Sequence, residues 1–136
     1  MKLNRRMLFG FAATLLAVFR AKAQPALAKS SAKEIARHAL SGPQQGMEAV
    51  LVDVTSAAGA PSHLHRHPSF VLGYVLDGEL KFAINNAAPQ VIPRGGTFFE
   101  PAGAVHSTGE SAEPAQPVRF LAFLVVPTGS PIVLPA

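Results

Sequence analysis

The chain predicts an all-β domain, an antiparallel double-sheet jelly roll closed into a barrel, on three observations. Short apolar runs follow one another between turns rich in proline and glycine, 12 and 11 of 136 residues, the pattern of many short strands with tight connections. Dipeptides that favour hairpins stand between the runs. Three histidines, His63, His65 and His67, occupy alternate positions. Residues two apart point to one face of a strand, so several rings can aim at one interior point.

Taken in order, the chain begins with a segment to be set aside from the fold. MKLNRR is basic, MLFGFAATLLAVF is apolar but short for a bilayer span, and AKA ends at Ala23. Residues 1–23 therefore predict a signal peptide cleaved between Ala23 and Gln24, with the mature protein periplasmic or secreted. Asn4-Arg5-Arg6-Met7-Leu8-Phe9 looks like a degenerate twin-arginine signal, although paired arginines also occur in ordinary secretory signals. An uncleaved membrane anchor is the competing reading; after cleavage no stable membrane span is expected.

Residues 24–33 read as an Ala-, Ser- and Pro-containing tether, and 34–136 as the barrel domain. EIARHAL, residues 34–40, fits a short strand or one helical turn, and GPQQG breaks the chain. MEAVLVDVTSA is a strand, and PSHLHRH leads into the histidines. FVLGYVL and ELKFAIN are two strands joined at Asp77-Gly78, where glycine accepts positive φ and a tight hairpin is expected. Asn85-Asn86 opens the next turn. PQVIP and TFFEP supply two more short strands, and PVRFLAFLVVP, residues 117–127, closes the barrel.

Without Lys2, Arg5, Arg6, Arg20 and Lys22, seven basic residues face eight acidic ones. The mature domain is near neutral, and nucleic-acid binding loses its compositional support. The absence of cysteine excludes disulfide staples and leaves stability to the buried apolar surface.

Two stretches carry chemistry. In GAPSHLHRHPSFVLGYVLDG, Gly59 is followed by five residues, His65, one residue, His67, three residues, Val71, six residues and Gly78. In GGTFFEPAGAVHSTGE, Gly95 is followed by five residues, Pro101, one, Gly103, two, His106, three and Glu110. The two spacings in this order match the two motifs of the cupins, and from about Gly46 to Pro127 the chain resembles a small single-domain cupin. The resemblance implies a double-stranded β-helix, a ligand-sized interior and commonly a homodimer. It also implies His65, His67 and His106 as ligands of a divalent transition metal, Fe, Mn, Ni, Cu or Zn, which imidazole chemistry alone does not separate. One departure matters: the family's carboxylate ligand position holds Val71, and its usual Asn is Glu110.

The remaining candidates carry alternatives. His63 has the right parity for the site but lies outside the family's ligand set, so it is a further ligand, a residue supporting the ligands, or a solvated one. Glu100 is a candidate replacement ligand, a catalytic acid or base, or a surface group. Tyr74, the single tyrosine, is a candidate catalytic hydroxyl or a core residue with a wet tip. Gly59, Gly78, Pro101 and Gly103 read as turn residues.

Two functions follow as expectations. One is a metal-dependent enzyme of dioxygenase type acting on a small organic molecule. In this respect the three-histidine pattern is similar to that of thiol dioxygenases and an acetylacetone-cleaving dioxygenase. The other is a non-catalytic periplasmic cupin that binds or senses a small ligand or metal. An available pocket acid or base favours the first, and the missing carboxylate at Val71 the second.

Overall fold

A computed structural model describes residues 29–136. The expected signal peptide and the first half of the expected tether, residues 24–28, lie outside the described residues. The described chain forms ten strands: β1 (Ser31–Ala39), β2 (Met47–Ser56), β3 (His65–Arg66), β4 (Val71–Asp77), β5 (Glu79–Ile84), β6 (Gln90–Pro93), β7 (Thr97–Glu100), β8 (Val105–Ser111), β9 (Val118–Pro127) and β10 (Leu134–Pro135). They pair antiparallel in two five-stranded sheets, ordered β1-β2-β9-β4-β7 and β10-β3-β8-β5-β6. The expected all-β double-sheet barrel is therefore the fold. No described helix is long and apolar enough to cross a membrane.

Period-two alternation places the core. On β9, Val118, Phe120, Ala122, Leu124 and Val126 are buried, while Arg119, Leu121, Phe123 and Val125 face outward and are less covered. Val50 and Val52 of β2 and Val71 and Val75 of β4 join them from the same sheet, and Leu80, Phe82 and Ile92 from the facing one. Each such burial contributes about 1.5–3 kcal/mol against the entropy of ordering the chain. Phe98 meets Phe120 of its own sheet edge to face with ring centroids 5.5 Å apart and Phe82 of the facing sheet at 4.7 Å, which links the two layers.

Three local expectations are corrected. The first strand starts at Ser31, inside the stretch read as tether, and EIARHAL lies mostly within it as strand, with no helical turn. Its eight partners along β2, Ser31↔Thr55 through Ala39↔Glu48, outweigh the helix propensity of its alanines. The Asp77-Gly78 hairpin is absent, because β4 pairs with β7 and β9 whereas β5 pairs with β6 and β8. Gly78 is instead a corner at which the chain crosses between sheets. Its φ is +76°, and a Cβ there would lie 2.7 Å from the Pro117 carbonyl oxygen, so the position needs glycine. Finally, β8 and β10 add strands in segments whose Ser, Thr, Gly and Pro content reads as loop.

Candidate metal centre

His65 lies on β3 directly opposite His106 on β8, and on its other side opposite Pro135 of β10. His67 follows two residues on, keeps the same facing and is buried. The register between β5 and β8 passes from Ala83↔Thr108 to Ile84↔His106, leaving Ser107 as the extra residue of a bulge. A bulge bends its strand and re-aims a neighbouring side chain. Here the His106 ring curls against Gly109, where an added Cβ would meet ring atoms at 2.6 Å.

Each imidazole is oriented by a backbone carbonyl. His65 Nδ1 donates to the His63 carbonyl at 2.8 Å, His67 Nδ1 to the Ile132 carbonyl at 2.5 Å, and His106 Nε2 to the Thr108 carbonyl at 2.9 Å. A neutral ring carries one proton, so these bonds strip His65 Nε2, His67 Nε2 and His106 Nδ1 to bare lone pairs. The three residues offer ligand atoms within 4.8 Å of one another, and His65 Nε2 faces His67 Nε2 at 3.1 Å. Two bare nitrogens at that distance repel unless a proton or a cation lies between them. Burial pushes the His106 pKa down to about 4, chiefly by desolvation and further by the nearby His65. It lowers that of His67 for the same leading reason. Both rings are thus neutral at pH 7, the protonation state that metal ligation requires.

Glu100 completes the cluster. It ends β7 directly opposite Val71 on β4, so the two side chains stand together on the inner face. The carboxylate is 2 % exposed. One oxygen lies 3.5 Å from His106 Nδ1 and the other, Oε2, 3.8 Å from His67 Nε2; Oε2 has no hydrogen-bond partner. Desolvation raises the Glu100 pKa to about 7, and the neighbouring neutral rings offer no charge to offset it. A buried, unpartnered carboxylate oxygen beside three bare nitrogens forms a donor set that fits a divalent transition metal.

The other candidates fall elsewhere. His63 is exposed at the cavity mouth, and its carbonyl, not its ring, serves the cluster through His65. Tyr74 lies on the outward face of β4 with Leu72, 46 % exposed, while Val71, Gly73 and Val75 point inward. This parity turns the Tyr74 side chain away from the histidine cluster and the cavity beside it. Glu110 bonds Lys81 and Ser62, bracing the loop before His63 against β8. Sequence reasoning missed Ile132, whose role is carried by a carbonyl any residue could supply. It also missed Gly109, for which the signal was a glycine three residues after a candidate ligand within a strand. The cluster opens into a cavity of about 580 Å³ between the sheets.

Similarity to known proteins bears on the fold and the family. In structure the chain is similar to a protein with a double-stranded β-helix domain from Klebsiella pneumoniae, at 18 % identity and TM-score 0.62, covering 83 % of this chain and 90 % of that one. It is similar to the polyketide cyclase RemF from Streptomyces resistomycificus, at 20 % identity and TM-score 0.57, covering 84 % and 75 %. It is also similar to the DMSP lyase DddQ from Ruegeria pomeroyi, at 20 % and 0.56, covering 65 % of this chain but 43 % of that one. At these identities the likeness shows the fold. No curated protein matches the chain significantly. The model of the cupin domain family matches residues 50–126, more than half of the sequence, and the chain belongs to that family.

Proposed function

We propose that the protein is a metal-dependent cupin that acts on a small organic molecule, with His65, His67 and His106 as ligands and Glu100 as the fourth. The single observation carrying this reading is the orientation of the imidazoles. Three separate backbone carbonyls hold the three rings so that their bare nitrogens converge beside the unpartnered oxygen of Glu100. Outer partners that fix tautomer and ring angle are the usual companions of metal-ligating histidine. A bound divalent ion would supply Lewis-acid polarisation of a coordinated oxygen. The chain's own residues orient the ligand and exclude water from the metal end. Glu100 takes the place of the carboxylate that Val71 lacks.

The test is metal titration of residues 24–136, followed by calorimetry and thermal melting. The domain is expected to bind one divalent transition ion and to melt higher when loaded, since a ligand of the folded state stabilises it. His65→Ala with His106→Ala is expected to abolish both effects. A double variant that binds and is stabilised like the parent overturns the assignment.

A second reading, a non-catalytic binding or sensing cupin, has its own support. With Tyr74 outside and Glu100 engaged as a ligand, the exposed His63 is the remaining titratable side chain on the cavity lining. Steady turnover of any candidate molecule by the loaded protein decides against it. We further propose that residues 1–23 direct export to the periplasm or beyond, with Gln24 as the mature N-terminus. Mass spectrometry of the protein from its native host checks this.

A further inference from the structure

We infer that the cavity takes a ligand with one metal-chelating end and an otherwise uncharged, apolar body. This rests on the proposed metal site and extends it to the rest of the pocket. All the strongly polar side chains of the cavity, the histidines and Glu100, gather at the metal end and its mouth. The walls beyond them are apolar: Val52 and Val54 of β2, Phe98 of β7, and Phe120, Ala122 and Leu124 of β9. The segment from Ile132 to Pro135 covers the pocket from the other sheet with more apolar surface.

Among the described residues, no Lys, Arg, Asn, Gln, Ser, Thr or Tyr lines this cavity. Neither Arg66 nor Lys81 lines the cavity. Arg66 alternates outward between His65 and His67 and is exposed, and Lys81 pairs with Glu110 at 3.0 Å. A second ionised group on the ligand, or a ring of hydroxyls, would thus be buried without partners and at high cost. A shallow adjoining recess of about 280 Å³ at the mouth carries the hydroxyls of Ser31, Thr55 and Ser62, and no Lys, Arg, Asp or Glu lines it. It suits a neutral polar substituent. Sugars, phosphorylated metabolites and dicarboxylates are excluded by the walls, and single-ring or fused-ring compounds with one chelating group fit.

The experiment measures the binding of three hydroxamates to the zinc-loaded protein by calorimetry. They share the metal-binding head and differ in the body: acetohydroxamate, 2-naphthohydroxamate and the same naphthyl compound with a distal carboxylate. Affinity is expected to rise at least about tenfold from the first to the second, from apolar burial. It is expected to fall at least about thirtyfold with the carboxylate, from charge desolvation. Val54→Arg, on the wall near the mouth, is expected to restore much of the loss for the carboxylated probe. Equal affinities for all three, or no recovery in a folded Val54→Arg variant, overturn the inference while leaving the metal site standing. If the protein binds zinc but none of the probes, the inference falls, and failure to bind zinc at all removes the proposed function with it.

Discussion

Glu100 is the residue on which charge, stability and metal affinity meet. In the metal-free protein its folded pKa of about 7 exceeds the ordinary 4.5. The fold therefore favours the protonated form, and stability falls as pH rises from about 4.5 through 7. Fully ionised, the buried carboxylate costs on the order of 3 kcal/mol. Glu100→Gln is thus expected to stabilise the metal-free protein by about 2–3 kcal/mol at pH 8, with the gain vanishing below about pH 4.5. The same variant is expected to weaken metal binding at least about tenfold. Urea denaturation at the two pH values and metal titration check the opposite signs. His106 works in the other sense: its folded pKa of about 4 lies below the ordinary 6.5, so its contribution is complete above 6.5 and lost towards 4. Between pH 7.5 and 5 His106 stays neutral while Glu100 takes up its proton, so metal affinity measured over that range is expected to fall through Glu100, with a further fall through His106 only towards pH 4. At this scale the histidines were legible because parity and spacing agree. Glu100 could be named only among alternatives, because Phe98 and Phe99 before it are both apolar and alternation alone names no inner face. Only the pairing Val71↔Glu100 resolves it.

Among the elements, β8 shows how a strand hides. Val105–Ser111 contains two serines, a threonine and a glycine, residues that local preference assigns to turns. Its strand state comes from pairing with β3 and β5. The bulge at Ser107 and the bare Cα of Gly109 together aim His106. Gly109→Ala is expected to displace the ring and weaken metal binding by about tenfold or more, since misplaced outer-shell geometry costs a site that much. Its effect on metal-free stability should be smaller than that of an inner-face change such as Leu124→Ala, at about 2–5 kcal/mol. Comparing melting and metal titration for the two variants separates aiming from packing. The Asp77-Gly78 corner is a similar lesson: the dipeptide announces a reversal but does not say whether the next strand stays in the same sheet.

For the whole molecule, the two-motif spacing made the barrel legible, while its outer surface had no sequence signal. Leu51, Phe123, Leu72 and Phe99 lie in register across β2, β9, β4 and β7 on the outward face. Leu72 is 49 % and Phe99 54 % exposed, and Phe70 stacks on Phe99 at 5.9 Å. An apolar stripe of this kind on a sheet is what a second copy would cover. We expect the mature domain to sediment as a homodimer and Leu72→Lys with Phe99→Glu to sediment as a monomer with its metal site retained. A parent that sediments as a monomer removes this expectation.

The bond from His67 to the Ile132 carbonyl joins positions 65 residues apart, and it has a consequence in time. His67 acquires its orienting partner only after Ile132 has been made, so the metal centre is complete only once the segment that carries β10 has docked on β3. Whichever compartment receives the folded tail is then the one whose ions the centre samples. If the proposed export carries the chain unfolded, the bound metal is expected to reflect the periplasmic supply; if it carries the chain folded, the cytoplasmic one. The ion found in protein taken from its host becomes a marker of the export route.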